Sequence, residues 1–210
     1  MLKQLAVISG LICSISPIAD MLQIRSSAST SKRTCVPYAT MWLNYALWSM
    51  YGIVKGIMIP IGICNIIGFV LACGFCAYFF HFTSSTEGRR VLVTYAMYVL
   101  FAAITVVYIK SEIHPQEIME HRVGIIACLV SVFLSFSPLL GIRSILDSGT
   151  HVMSFPLITA NFIACLLWLA YGISNNDSFV VMNNFFGALF GLVCLSFYCF
   201  LPYKREAVLG

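Results

Sequence analysis

The sequence predicts an all-α membrane protein with seven transmembrane helices, arranged as two parallel three-helix repeats joined by a linker helix (3+1+3). Composition is the first reason. Of the 210 residues, 60% are hydrophobic and 10% are charged, whereas soluble domains are about half apolar and about a quarter charged. The other two reasons are the number of long apolar windows and an internal repeat at a fixed period, which identifies a repeated structural unit.

Seven windows meet the requirement of about 20 mostly apolar residues for a spanning helix. They lie at roughly 3–23, 37–54, 57–80, 91–109, 123–145, 156–173 and 178–201. The first window could be a signal peptide, but it lacks a small-x-small cleavage site. Its Ser-Pro pair also recurs in the fifth window, so we expect it to remain as the first helix.

The repeat consists of four short motifs that occur twice, in the same order, about 120 positions apart. The paired segments are Ser16-Pro17 and Ser137-Pro138, Val36-Pro37 and Phe155-Pro156, 47–52 (LWSMYG) and 167–172 (LWLAYG), and 65–68 (NIIG) and 184–187 (NFFG). Each unit is roughly 65 residues long and holds three windows. The window at 91–109 has no partner.

The unpaired window explains the predicted direction of the two repeats. Two units of three helices joined directly would be inverted in the membrane, and one further crossing restores the same direction. The predicted organisation is a first repeat at 1–82, a linker helix with flanking loops at 83–120, a second repeat at 121–203 and a short cytosolic tail at 204–210.

Lys and Arg residues predict the orientation, because cytosolic loops carry an excess of them. Eight lie on one side: Arg25, Lys32, Arg33, Arg89, Arg90, Arg143, Lys204 and Arg205. Four lie on the other side: Lys3, Lys55, Lys110 and Arg122. This bias places the N-terminus outside and the C-terminus in the cytosol.

Several functional classes are excluded by composition and motifs. The net charge of +4 is spread over short segments, so no nucleic-acid surface is expected. The nine cysteines lie in apolar runs or near a helix start and lack zinc spacing, so we interpret them as buried hydrophobic side chains. Without a nucleophile elbow or a phosphate loop, we expect no enzyme, no cofactor and no metal.

The four motifs around a linker helix resemble the SWEET family of sugar transporters, whose parallel repeats are related by an axis along the membrane normal. The short segment after Pro202 and the compact Pro-to-Trp spacing resemble an animal member. The resemblance covers essentially the whole chain. It implies a passive, bidirectional uniporter for a hexose such as glucose, working by alternating access in the plasma membrane or the Golgi membrane.

The two asparagines of the repeat, Asn65 and Asn184, are the first candidates for sugar binding. Each lies some six to eight residues into its helix, a depth of about 10 Å. An amide in hydrocarbon needs a partner, and a helix–helix hydrogen bond is the ordinary alternative. Their equivalent positions instead favour one shared space, and the resemblance implies that both bind substrate.

Trp48 and Trp168 occupy a second pair of equivalent positions. A tryptophan near a helix end is commonly part of the interfacial aromatic belt. The resemblance implies that these two form cavity walls, where an indole face would pack on the C–H face of a sugar ring. Two tryptophans would narrow the cavity and favour a monosaccharide over a disaccharide.

Four prolines, Pro17, Pro37, Pro138 and Pro156, lie in helices 1, 2, 5 and 6, where a missing hydrogen bond permits bending. The resemblance implies that they are hinges. First-turn prolines, which helices tolerate well, are the alternative for Pro37 and Pro156. Pro37 and Trp48 are 11 positions apart, but Pro156 and Trp168 are 12 apart, which weakens the hinge assignment of Pro156.

Tyr51 and Asp177 are predicted on the outer side, at the end of helix 2 and the start of helix 7. The resemblance implies an outer gate closed by a phenol–carboxylate hydrogen bond. A helix cap is an equal and compatible use of Asp177.

Three other functional classes fit the sequence less well than a uniporter does. A seven-helix receptor would have no internal repeat. A cargo-sorting receptor of related architecture would need charged interior residues, and a carrier of another small polar solute, such as a cationic amino acid, would need cavity carboxylates. No acidic residue lies deep in a window, which favours passive transport.

The expected partners are a mono- or disaccharide and membrane lipids. A homo-oligomer is compatible with the sequence, and no nucleic-acid partner is expected.

Overall fold

The structure is a computed structural model that describes residues 1–30, 33–110, 115–140 and 155–201, with the side chains of 136–140 excepted. Lys32, Arg143 and the tail at 204–210, all used in the sequence predictions, lie outside the described residues. The helices are α1 (Leu2–Ser14), α2 (Ile18–Ser27), α3 (Val36–Val54), a π-helical turn (Met58–Gly62), α4 (Ile63–His81), α5 (Ser85–Lys110), α6 (Gln116–Leu140), α7 (Phe155–Ser174) and α8 (Ser178–Phe200).

The predicted all-α membrane fold is confirmed, and the described residues contain no strand. Six spans in the described part of the chain are long and apolar enough to cross a membrane. These are Leu2–Ser27, Met58–His81, Ser85–Lys110, Gln116–Ser135, Phe155–Ser174 and Ser178–Phe200. The first of these spans joins α1 and α2 across Pro17 and contains the predicted window at 3–23.

The helix α3 accounts for the seventh window, although its hydropathy is lower. It is 19 residues long, and nine of those residues are buried, including Thr40, Ser49 and Tyr51. Because protein rather than lipid surrounds much of this helix, its polar side chains have protein partners. The Thr40 hydroxyl, for example, is 2.6 Å from the hydroxyl of Tyr98 on α5.

Two helices begin earlier than the apolar windows indicated. The helix α5 begins at Ser85 rather than near 91, and α6 begins at Gln116 rather than near 123. Their first turns contain Glu87 and Glu117, respectively. An acidic residue there stabilises the helix N-terminus, and helices can continue beyond the hydrocarbon, so hydropathy underestimates their length.

The chain divides into two compact units. One comprises Gly10–Val130, and the other comprises Met1–Ser9 together with the described residues from 131 onward. In the first unit, α3 packs on α4 through two ring contacts from the first two turns of α3. The Tyr38 and Phe79 ring centroids are 5.4 Å apart, as are those of Trp42 and Phe69. In the second unit, α7 packs on α8.

Three of the four predicted hinge prolines lie at helix starts. Pro17 directly precedes α2, with φ −67° and ψ −9°. Pro37 lies in the first turn of α3, and Pro156 is the second residue of α7. These are positions where the missing N–H leaves no helical bond unmade. Pro138 lies near the end of α6, and its side chain is outside the described residues.

Candidate functional site

The turn between α3 and α4 supports the first half of the candidate site. Gly56 has a left-handed φ of 75°. The Ile57 N–H donates to the Gly52 carbonyl at 2.9 Å, and the Gly56 N–H donates to the Ile53 carbonyl at 3.1 Å. This pair of bonds is the Schellman motif, which ends helices at a residue with positive φ.

The turn between α7 and α8 has the same hydrogen bonds. Asn176 occupies the left-handed position with φ 52°. The Asp177 N–H donates to the Gly172 carbonyl at 2.9 Å, and the Asn176 N–H donates to the Ile173 carbonyl at 3.2 Å. Asparagine is among the few non-glycine residues that adopt this conformation readily. The two turns therefore have the same geometry although their sequences differ.

Each half packs its tryptophan against the tyrosine one turn later. The ring centroids of Trp48 and Tyr51 are 5.3 Å apart with an edge-to-face angle of 80°, and those of Trp168 and Tyr171 are 5.6 Å apart at 76°. Trp48 is only 5% exposed, whereas a belt residue would present its ring to the lipid interface. Trp168 is half-buried. The pairing fixes the orientation of each indole.

The two candidate amides make equivalent bonds. Asn65 Nδ2 donates to the Ile61 carbonyl at 2.8 Å, and Asn184 Nδ2 donates to the Val180 carbonyl, also at 2.8 Å. Each bond reaches one turn back, to the π-helical turn in the case of Asn65 and within α8 in the case of Asn184. Neither amide bonds to a second helix within the described residues, which disfavours the ordinary helix–helix role.

Those bonds use only part of each amide's capacity. An asparagine side chain has two N–H donors and an oxygen acceptor, so one donor and the acceptor remain for a ligand. Asn184 is 9% exposed, and Asn65 is half-buried. A partly shielded amide with both functions suits the hydroxyl groups of an uncharged polar molecule, which both donate and accept.

Glycines hold each asparagine helix against its tryptophan helix. A Cβ on Gly68 would lie 2.6 Å from Cε1 of Tyr45, and a Cβ on Gly187 would lie 2.7 Å from Sγ of Cys165. Both glycines follow the asparagine by three positions, and Tyr45 and Cys165 precede the tryptophan by three. Side chain and backbone thus approach at a distance that only glycine permits.

The predicted outer-gate residues have partners that the sequence analysis missed. Lys55 Nζ donates to the Tyr51 hydroxyl at 2.9 Å and pairs with Glu120 Oε1 at 2.8 Å. Lys55 could have been found, because it follows Tyr51 by four positions and so shares its helix face. Glu120 could not, because it lies on α6, and no periodic pattern relates it to α3.

Asp177 caps α8, as the alternative interpretation expected. Its Oδ1 accepts a hydrogen bond from the Val180 N–H at 3.1 Å, and the residue is 1% exposed. Asp177 and Tyr51 belong to different compact units. Their predicted mutual hydrogen bond therefore stays a prediction.

Comparisons with known proteins identify the family. The family model described as "Sugar efflux transporter for intercellular exchange" matches residues 1–87 and again 121–206. The chain is 29% identical over 205 residues to sugar transporter SWEET1 of Drosophila pseudoobscura pseudoobscura, covering 96% of this chain and 89% of that protein. It is 27% identical to sugar transporter SWEET1 of Danio rerio, covering 84% and 80%.

A plant protein and a solved structure are also similar. Bidirectional sugar transporter SWEET5 of Arabidopsis thaliana is 25% identical, covering 90% of this chain and 79% of that protein. The 3.7 Å structure of a eukaryotic SWEET transporter has the same fold, with a TM-score of 0.78, 21% identity and coverage of 95% and 96%. Since the family model matches most of the chain in two copies, this multi-pass membrane protein belongs to the SWEET family, with animal members among its relatives.

Proposed function

We propose that this SWEET-family protein is a passive, bidirectional uniporter that carries a hexose such as glucose across a membrane by alternating access. The observation that carries the proposal is the pair of amides, Asn65 and Asn184, with equal bonds and spare hydrogen-bonding capacity at equivalent positions. Family membership supports sugar as the substrate class. Related proteins named bidirectional sugar transporters support the two-way movement.

In this proposal the amides bind sugar hydroxyl groups, and Trp48 and Trp168 pack on the apolar face of the ring. An aromatic face beside a few well-placed polar groups is the usual composition of a small-molecule site. Two indoles narrow the space and favour a monosaccharide. Release on the far side requires weak binding, so we expect a dissociation constant near 1 mM, or about −4 kcal/mol.

The conformational change is assigned to the remaining candidate residues. Pro17, Pro37, Pro138 and Pro156 would let the helices bend as one gate opens and the other shuts. Tyr51 and Asp177 would close the outer gate. The Lys55 bond to the Tyr51 hydroxyl supports this role, because it fixes the position of that hydroxyl.

The membrane, orientation and assembly are also proposals. The count of eight basic residues against four supports an outer N-terminus and a cytosolic C-terminus, in the plasma membrane or the Golgi membrane. A homo-oligomer is compatible with the apolar outer faces of the helices.

The first prediction concerns sugar uptake. In cells that lack their own hexose carriers, the protein should support uptake of labelled glucose. Asn65→Ala and Asn184→Ala should each lower it by about tenfold, since hydrogen bonds to the sugar are lost. Uptake is measured at equal surface expression.

Asn183→Ala is the matched control, because it removes the same side chain from the same helix on another face, and its uptake should match wild type. Unchanged uptake in both the Asn65 and Asn184 variants would remove the assigned site. Transport of another small polar solute in place of hexoses would contradict the proposed substrate. It would not contradict the proposal that the protein is a carrier.

A further inference from the structure

The last turn of α5 and the first turns of α6 line an open cavity of about 620 Å³. It contains none of the residues assigned to sugar binding. Tyr108 of α5 and Glu117 and Arg122 of α6 line one part of it. Small-molecule sites typically have volumes of roughly 300–1,000 Å³, so the space is large enough for a ligand.

The lining changes from charged to apolar along α6. Glu117 and Arg122 lie in its first two turns, whereas Ile125 and Ile126 lie roughly 5–13 Å further along the axis. Ile118 and Ile125, also in the lining, are 42% and 40% exposed. The apolar span of this helix begins at Gln116, so the charged part lies at the membrane interface. This gradient suits an amphiphile whose head lies near the helix start.

Arg122 is held in place by Tyr108. Its Nη1 donates to the Tyr108 carbonyl at 3.1 Å, and its guanidinium carbon lies 4.7 Å from the Tyr108 ring centroid. A guanidinium has five N–H donors in a planar fork, which binds phosphate oxygens well. The Tyr108 carbonyl accepts a hydrogen bond from one of these donors, and the Tyr108 ring contacts the guanidinium.

Glu117 supplies the opposite charge. Glu120, three residues later, is paired with Lys55 at 2.8 Å. Glu117 has no hydrogen bond or ion pair to any residue that the structure describes. The cavity therefore presents a fixed cation together with a carboxylate that has capacity for a cationic group. His121 completes the polar part of the lining.

We propose that this cavity binds the headgroup of a zwitterionic phospholipid, with Arg122 holding the phosphate and Glu117 the ammonium group. The acyl chains would follow Ile125 and Ile126 toward the hydrocarbon. A purely anionic headgroup would place no positive charge against Glu117, so the pair of charges selects against it. The site is independent of the sugar-binding residues.

The test is native mass spectrometry of the full-length protein in micelles with equal amounts of phosphatidylethanolamine and phosphatidylglycerol. Wild type should retain phosphatidylethanolamine about tenfold more tightly, as expected for one charge-assisted bond. Glu117→Gln should abolish this preference, and Glu117→Lys should reverse it. Arg122→Gln should weaken retention of both lipids by about tenfold.

Arg90→Gln is the matched control, because Arg90 is an exposed arginine near the opposite end of α5, and its retention should equal wild type. Free phosphoethanolamine should not displace the lipid, and displacement would show a small-ion site instead. Equal retention of the two lipids by wild type would overturn the proposal. So would an unchanged preference in Glu117→Gln, which stays informative even if Arg122→Gln fails to fold.

Discussion

Single residues in the two halves repeat the same contacts, even where the residue types differ. Gly68 approaches Tyr45, and its counterpart Gly187 approaches Cys165, at 2.6 and 2.7 Å from an added Cβ. A phenol and a thiol thus fill the same position against a glycine. What the repeat maintains is the close approach of two helices, because that approach sets the position of the asparagine three residues earlier.

Gly52 makes the tightest approach of the described glycines and yields a prediction about stability. A Cβ there would lie 2.5 Å from the backbone nitrogen of Gly62, which cannot rotate away. Gly52→Ala should therefore lower the free energy of unfolding by about 2–3 kcal/mol through overpacking. Thermal unfolding in detergent, followed by the exposure of buried cysteines to a fluorescent maleimide, would measure it.

Gly74→Ala is the control, because a Cβ at Gly74 on α4 would meet nothing within 4 Å. Replacing this helical glycine should leave stability unchanged or raise it by up to about 1 kcal/mol. Equal unfolding temperatures for the two variants would mean that α3 and the π-helical turn are not packed as described.

At the scale of the helices, the two halves absorb a one-residue difference in length. Gly52 and Asn65 are 13 positions apart, whereas Gly172 and Asn184 are 12 apart. The extra residue lies in the π-helical turn, where the Gly62 N–H donates to the Ile57 carbonyl at 3.1 Å, five residues back, and Ile59 has the non-helical φ −120° and ψ 116°. This interruption of the helix accommodates the added residue, and both asparagines make the same bond to a carbonyl four residues back.

In the first half, a side-chain hydrogen bond joins α2 and α3. The Tyr38 hydroxyl donates to Asp20 Oδ2 at 3.1 Å. The repeat aligns Asp20 with Gly141 and Tyr38 with Leu157, so the second half has no side chains for such a bond. The segments that follow Pro17 and Pro37 are therefore tied together by a bond that the residue types at the equivalent positions, glycine and leucine, cannot form.

Tyr38→Phe should lower the free energy of unfolding by about 1 kcal/mol, the usual worth of one partly exposed hydrogen bond. The same thermal assay would detect it. Tyr78→Phe serves as the comparison, because the Tyr78 ring packs on Phe82 at 5.0 Å and its hydroxyl forms no hydrogen bond within the described residues. If Tyr78→Phe lowered the free energy of unfolding by as much, the assay would be measuring ring packing rather than the bond to Asp20.

Across the whole molecule, the described acidic residues lie at helix ends. Glu87 and Glu117 are in first turns, Asp177 is a cap, and Glu120 is paired with Lys55 near the start of α6. Asp20 is exposed and lies in the short helix α2. A proton-coupled carrier generally needs a titratable group at depth, so this distribution favours an uncoupled one.

Uncoupled transport predicts that the sugar gradient alone drives the flux. In vesicles loaded with unlabelled glucose, labelled glucose should exchange in both directions at equal rates at equal concentrations, and a protonophore should not change them. Counterflow with and without an imposed pH gradient is the measurement. A rate that rises and saturates with the proton gradient would contradict passive transport.

The sequence alone determined the fold class, the number of spans and the repeat. Apolar length predicts membrane helices because backbone hydrogen bonds must close within each span, and the motif series aligned Asn65 with Asn184 and Trp48 with Trp168. Tertiary structure decided what depends on distant parts of the chain. It paired Lys55 with Glu120, made Asp177 a cap, and placed Arg122 and Glu117 on one cavity. These contacts join or orient helices through side-chain geometry, which periodicity and composition do not specify.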